Sequence, residues 1–217
     1  MNVRLLDKND KAALEQLIYT IENALPVPEW WIPIDDIERS HFFDADWTCF
    51  LGAFNDDNEL VAASALFFNE HEFAEEAEKL GLDIRSTNVA EVGRCMVHPD
   101  FRGHNLMCEL NKRLCSIARN RGIDTILAVA HPDNIASNSS FRRLGAELKA
   151  TATVFGSYQR NMCIFCRGRW WQPIGSGCRA RQAVPEEDSL PCPIFLFTYI
   201  AVALAHVTCL QPPTILP

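Results

Sequence analysis

The stretch from Val89 to Leu110 constrains this chain more than any other. It reads Val-Ala-Glu-Val-Gly-Arg-Cys-Met-Val-His-Pro-Asp-Phe-Arg-Gly-His-Asn-Leu-Met-Cys-Glu-Leu. A mostly apolar stretch predicts a strand over Val89–Val97, and Pro99 ends it. An Arg102-Gly103 loop then opens directly into an apolar helix. A strand-loop-helix of this kind points several backbone N–H groups at one spot, and the helix dipole adds positive potential there. Such a spot suits a phosphate or pyrophosphate. Gly103 permits close approach of a backbone, and Asn105 tolerates a left-handed conformation that most residues resist. Arg102 adds charge. By itself the pattern also fits an ordinary β-α turn.

The rest of the chain supplies the setting. A short strand is expected at 3–6, followed by a helix over Lys11–Ala24, where Leu14, Leu17, Ile18 and Ile21 recur at helical spacing. Pro26 and Pro28 stop that helix. Trp30 and Trp31 lead an aromatic stretch that either roofs a pocket or packs into the core. Strands at 49–54 and 60–68 flank the turn-formers Asn55, Asp56, Asp57 and Asn58 and predict a hairpin. A helical stretch at 72–80 stops at Gly81. Helices are expected at 105–122 and from Asn134 or Ser137 to 144, with a buried strand, Thr125–Ala130, between them. Strands at 150–155 and Tyr158–Phe165 close the series. Early hairpins followed by alternating β-α units predict an α/β fold, a mixed sheet with helices on its faces.

The net charge of −8 argues against a nucleic-acid partner, which needs a basic footprint. Nine cysteines, an odd number, lie scattered, and no apolar leader follows Met1. Free thiols in a reducing cytoplasm are therefore expected. Cys163 and Cys166 make one C-x-x-C, too few ligands to predict a metal. After Cys166 the grammar changes, so the boundary is placed between 1–166 and a tail, 167–217, holding seven of the twelve prolines. The tail's apolar run, 194–210, fits three readings: a reading-frame or assembly scar, a membrane anchor, or a docked helix.

Residues Val97-His98-Pro99-Asp100-Phe101-Arg102-Gly103-His104-Asn105-Leu106-Met107-Cys108-Glu109-Leu110 resemble the cofactor-binding motif of the GNAT acetyltransferases, V-x-P-x-x-R-G-x-G-[IL]-[GA]-x-x-L. Asn105 replaces a glycine and Met107 a small residue. A second block, Asn134-Ile-Ala-Ser137-Asn-Ser-Ser-Phe141-Arg-Arg-Leu-Gly145-Ala146, is similar to the family's later helix, N-x-x-A-x-x-x-[YF]-x-x-x-G-[FA]. The resemblance covers about 1–166. It implies the GNAT fold: a mixed, mainly antiparallel central sheet with helices on both faces, here carrying an atypical C-terminal tail. It also implies acetyl-CoA as co-substrate and a primary amine as acceptor: an amino acid, a polyamine, an aminoglycoside-like compound or a protein N-terminus. The residues it would bring to the cofactor are Cys95, Met96, Val97, Arg102, Gly103, His104, Asn105, Leu106, Met107, Asn134, Ser137 and Phe141. Backbone groups of Cys95 and Val97 would meet the pantetheine arm, with Asn134 near its thioester end.

Transfer to an ammonium needs a base. Glu91 is the first candidate, a carboxylate in an otherwise apolar strand at a position where some family members carry a glutamate. Strict alternation would put it on the same face as Val97, six residues on. Partial burial would raise its pKa. Pairing with Arg94 is the competing role. Glu70, His71 and Glu72 are the reserves. Phe141 stands where many members have a proton-donating tyrosine, which leaves Ser140, Tyr158 or water for the leaving thiolate. That replacement also admits a second class of function, a non-catalytic acyl-CoA-binding or regulatory module of the same fold.

Overall fold

A computed structural model describes residues 1–165. In chain order they form β1 (Asn2–Leu5), α1 (Lys11–Ala24), α2 (Asp36–Ser40), β2 (Thr48–Phe54), β3 (Leu60–Phe67), α3 (Ala74–Lys79), β4 (Val89–Val97), α4 (Leu106–Asn120), β5 (Thr125–Ala130), α5 (Ile135–Arg143), β6 (Ala146–Val154) and β7 (Tyr158–Phe165). The tail 167–217, with its apolar run 194–210, lies outside the described residues, as does Cys166. Among the described residues no helix is long and apolar enough to cross a membrane.

The seven strands make one sheet, ordered β1-β2-β3-β4-β5-β7-β6. Every neighbouring pair is antiparallel except β4 and β5. Apolar faces cover both sides. Leu106, Leu110, Leu114 and Ala118 of α4 and Phe141 of α5 bury one face. Leu14, Leu17, Ile18 and Ile21 of α1 bury the other, together with Phe50 and Met96. Each of the buried Leu, Ile, Phe and Met side chains contributes about 1.5–3 kcal/mol. Leu25, extended at φ −74° and ψ 130°, ends α1 because Pro26 disfavours helix in the residue before it.

Two departures from regularity shape the centre. The parallel pairing of β4 with β5 runs only from Val89 opposite Thr125 to Val92 opposite Ala128. Beyond that point β4 stays with β3 and β5 stays with β7, so the strands part. The second is a bulge. Ala65 pairs with Gly93 and Ala63 with Met96, so two steps on β3 match three on β4. Arg94 takes up the extra residue with φ 46°. Ser64 donates to Asn111 Oδ1 at 2.6 Å beneath it, and Asn111 Nδ2 donates to the Cys95 thiol at 3.4 Å, which ties α4 to the bulge.

The bulge corrects the expected orientation of Glu91. Val92, Cys95 and Val97 face the α4 side, whereas Met96 packs towards α1. The inserted residue shifts the phase of alternation, so Glu91 and Val97 lie on opposite faces. Other differences are local. β6 begins at Ala146, earlier than expected, because it is an edge strand whose polar Glu147 and Lys149 hide the period. The 72–80 stretch divides into a turn at Glu70–Glu72 and the shorter α3.

Candidate active site

The parting of β4 and β5 opens a groove of about 520 Å³ and a smaller cavity of about 260 Å³. Cys95, Asn134 and Ser137 line both, so the two spaces meet at the gap. Val97, Arg102, Gly103, Asn105, Leu106 and Met107 line the groove. Three expected residues do not. Met96, 1% exposed, turns its side chain into the α1 core. His104 is exposed beside the groove. Phe141 lines the smaller cavity and packs edge-on against Phe165 at 6.2 Å between ring centres.

The start of α4 has the features a phosphate requires. Asn105 occupies the left-handed region at φ 61°, and no side chain caps the helix among the described residues. In contrast, Asp35 and Asn134 accept backbone N–H groups at the starts of α2 and α5. The first-turn N–H groups of α4 are therefore left for an anion. Gly103, at φ 85°, has no heavy atom within 4 Å of where a Cβ would stand, which leaves the approach open. Further along, the His98 N–H donates to Val61 O on β3. By alternation the backbone groups of Val97 and Cys95 face the open side, and Arg102 Nε already reaches Val97 O at 3.4 Å.

In the smaller cavity Glu91 is 6% exposed and has no hydrogen-bond or ion-pair partner among the described residues. Burial lifts its pKa well above the usual carboxylate range, helped by the nearby Glu76 and Glu72 and opposed by Arg94. The expected competitor for Glu91 has another partner. Arg94 Nε donates to Glu38 Oε1 at 2.7 Å, Nη2 reaches Glu38 Oε2, and Nη1 donates to Ile32 O at 2.6 Å. Its guanidinium also lies 5.0 Å from the Trp31 ring centre. Arg94 thus ties the Trp31-to-Glu38 segment against the sheet, and that segment walls the cavity. Of the reserves, His71 and Glu72 line the cavity and Glu70 does not. Trp47 Nε1 donates to Glu72 at 3.1 Å, and burial raises this carboxyl too. His71 meets Asp35 at 3.3 Å. Burial pushes the Cys95 thiol up to about 11, so it is no thiolate nucleophile at neutral pH.

Sequence reasoning overlooked Arg160 and Glu76. Arg160 sits on β7 in phase with buried Met162, and a cation on an inward face was the available signal. Glu76 is fully buried, and neither carboxyl oxygen has a hydrogen-bond partner on another of the described residues. Burial pushes it up to about 8 from an ordinary 4.5. The folded chain holds this proton after the unfolded chain has lost it. Stability is therefore full below about 4.5 and falls as pH rises through about 8. We expect the melting temperature to decline across that window and Glu76→Gln to flatten the decline, leaving the share due to Glu91. Equal slopes for both proteins would rule out this role for Glu76.

A sequence model of the Acetyltransferase (GNAT) family matches residues 15–146. The chain belongs to that family. No curated protein sequence matches it. Among solved structures it is similar to a probable acetyltransferase from Staphylococcus epidermidis, with a TM-score of 0.56 and 21% identity over 76% of this chain and 97% of that one. A second is yncA from Salmonella typhimurium with its cofactor acetyl-CoA, at 0.53 and 19% over 76% and 91%. A third is Arabidopsis thaliana NAA60 in complex with acetyl-CoA, at 0.60 and 10% over 76% and 97%. At these identities the likeness is one of fold.

Proposed function

We propose that this protein transfers an acetyl group from acetyl-CoA to a primary amine, by direct attack in a ternary complex, with Glu91 as general base. The observation that carries the reading is the buried, unpartnered Glu91 carboxyl in a cavity that meets the groove. Family membership and the acetyl-CoA bound in two structural relatives support it. Free thiols at Cys49, Cys95, Cys108, Cys115 and Cys163 fit a cytoplasmic setting.

Acetyl-CoA supplies the acetyl thioester. The chain's own groups do the rest. The N–H groups at the start of α4, with Arg102, hold the pyrophosphate. The backbone edge of β4 at Cys95 and Val97, beyond its pairing with β5, aligns the pantetheine arm. Glu91 takes the proton of the acceptor ammonium, and its raised pKa brings it nearer to the pH at which a base is useful. Phe141 has no proton to give. Ser140 Oγ is engaged with the Cys108 thiol at 2.9 Å, and Tyr158 lies outside both cavities. The chain thus offers no dedicated acid from these positions, and water serves the leaving thiolate.

Acetyl-CoA at 100 times its dissociation constant should stabilise the folded protein by about 2.7 kcal/mol. No melting shift with millimolar acetyl-CoA would defeat the reading. Phe141 also favours a second one, a binding module without turnover. Isotopic acetyl transfer to a mixed amine library separates the two: binding without any labelled amine leaves only the module.

A further inference from the structure

Among the described residues, the smaller cavity contains one buried cation without a counter-charge. Arg160 is 2% exposed, and no carboxylate pairs with it among the described residues. Nη1 donates to Gln159 O at 2.8 Å and Nη2 to Glu29 O at 3.0 Å, while the guanidinium lies 5.1 Å from the Tyr158 ring centre. These contacts fix its place without neutralising it. Its remaining N–H groups have no acceptor among the described residues. A guanidinium stays protonated in a protein, so this charge persists. An isolated buried charge is costly unless something pairs with it.

Apart from Glu91, the other charged groups of the cavity are engaged. Glu38 holds Arg94, Asp35 meets His71, and Glu72 accepts from Trp47. Glu76 lies near Arg160, but neither of its carboxyl oxygens has a hydrogen-bond partner among the described residues. A second donor is also unmatched: Trp31 lines the cavity, and its indole N–H is buried with no acceptor among the described residues. The unmatched donors call for an anion, and the unpartnered Glu91 carboxyl, once ionised, suits a cationic amine. One small molecule carries both.

Resting on the amine-transfer reading above, we infer that the acceptor is a small amino acid, its carboxylate received by Arg160 and its ammonium facing Glu91. The cavity of about 260 Å³ sets the size of that molecule. Phe67, Phe141 and Phe155 on its walls favour an apolar side chain.

The test measures kcat/KM for the twenty amino acids and for the amines that lack their carboxylates, using the full chain and acetyl-CoA. Hydrogen bonds to a charged group are worth about 10- to 100-fold. At least one apolar amino acid, such as phenylalanine, should exceed its decarboxylated counterpart, phenethylamine, by that factor. Arg160→Gln should bring the ratio near one by raising KM for the amino acid, with acetyl-CoA affinity unchanged. Arg160→Lys, which keeps a charge, should restore part of the preference and covers the case in which the glutamine variant fails to fold. Amines acetylated as well as, or better than, amino acids would overturn this inference and leave the proposed reaction standing. So would an Arg160→Gln loss equal for both classes. Absence of transfer to every compound would overturn both.

Discussion

Glu91→Gln should retain acetyl-CoA binding and lose about 10²- to 10⁴-fold in turnover, the usual range for removal of a general base. The amide keeps the shape of the side chain but cannot accept a proton. Its setting makes the two possible roles separable. A structural carboxylate would be hydrogen-bonded, and its removal would strand a partner. No partner to strand is found among the described residues. Replacing a carboxyl that is costly to ionise by a neutral amide should therefore preserve or raise the melting temperature at neutral pH. The pH profile adds a second signature. Wild-type turnover should rise with pH as the carboxyl ionises, on a limb shifted above the ordinary carboxylate range. The mutant should lack that limb. Near-normal turnover per folded molecule, with a lowered melting temperature, would move the base to Glu72 or His71, which line the same cavity.

Much of the fold that frames this candidate site was legible in the sequence, for identifiable reasons. The order of elements and the exact spans Lys11–Ala24, Val89–Val97, Thr125–Ala130 and Tyr158–Phe165 follow from period and punctuation, which are local properties. The left-handed Asn105 was readable for the same reason, because few residue types accept that conformation. The bulge was not readable. Arg94 has no Cβ-free backbone to advertise a positive φ, and its conformation is held from a distance by Glu38 and the Ile32 carbonyl. One inserted residue then moved Glu91 to the face opposite Val97. The result is a carboxyl on the α3 side, influenced by Glu76 and Glu72 rather than paired with Arg94. Arg160 was obscure in a similar way. Its anchoring carbonyl belongs to Glu29, more than a hundred residues earlier in the chain. Long-range contacts of this kind leave no local period.

Gly103→Val should weaken acetyl-CoA binding while the protein stays folded. Gly103 sits at φ 85°, which a β-branched side chain resists, and the strain is worth about 1–3 kcal/mol. Because the residue is exposed and nothing crowds its Cβ position, the loop can relieve that strain by rotating away. The loss then falls on the geometry of the N–H groups, not on the core. Each charge-assisted hydrogen bond to a phosphate is worth about 1.5–3 kcal/mol, so misdirecting one costs about 10- to 100-fold in affinity. Gly103→Asn is the informative companion. Asparagine tolerates the left-handed region, as Asn105 does two residues later, so the backbone direction should survive. If the cradle depends on backbone direction, asparagine should bind acetyl-CoA more tightly than valine. If it depends on the absence of any side chain, both should be impaired alike. Titration of the two variants with acetyl-CoA, followed by calorimetry, reads this directly. Wild-type affinity in Gly103→Val would place the phosphate site away from the start of α4.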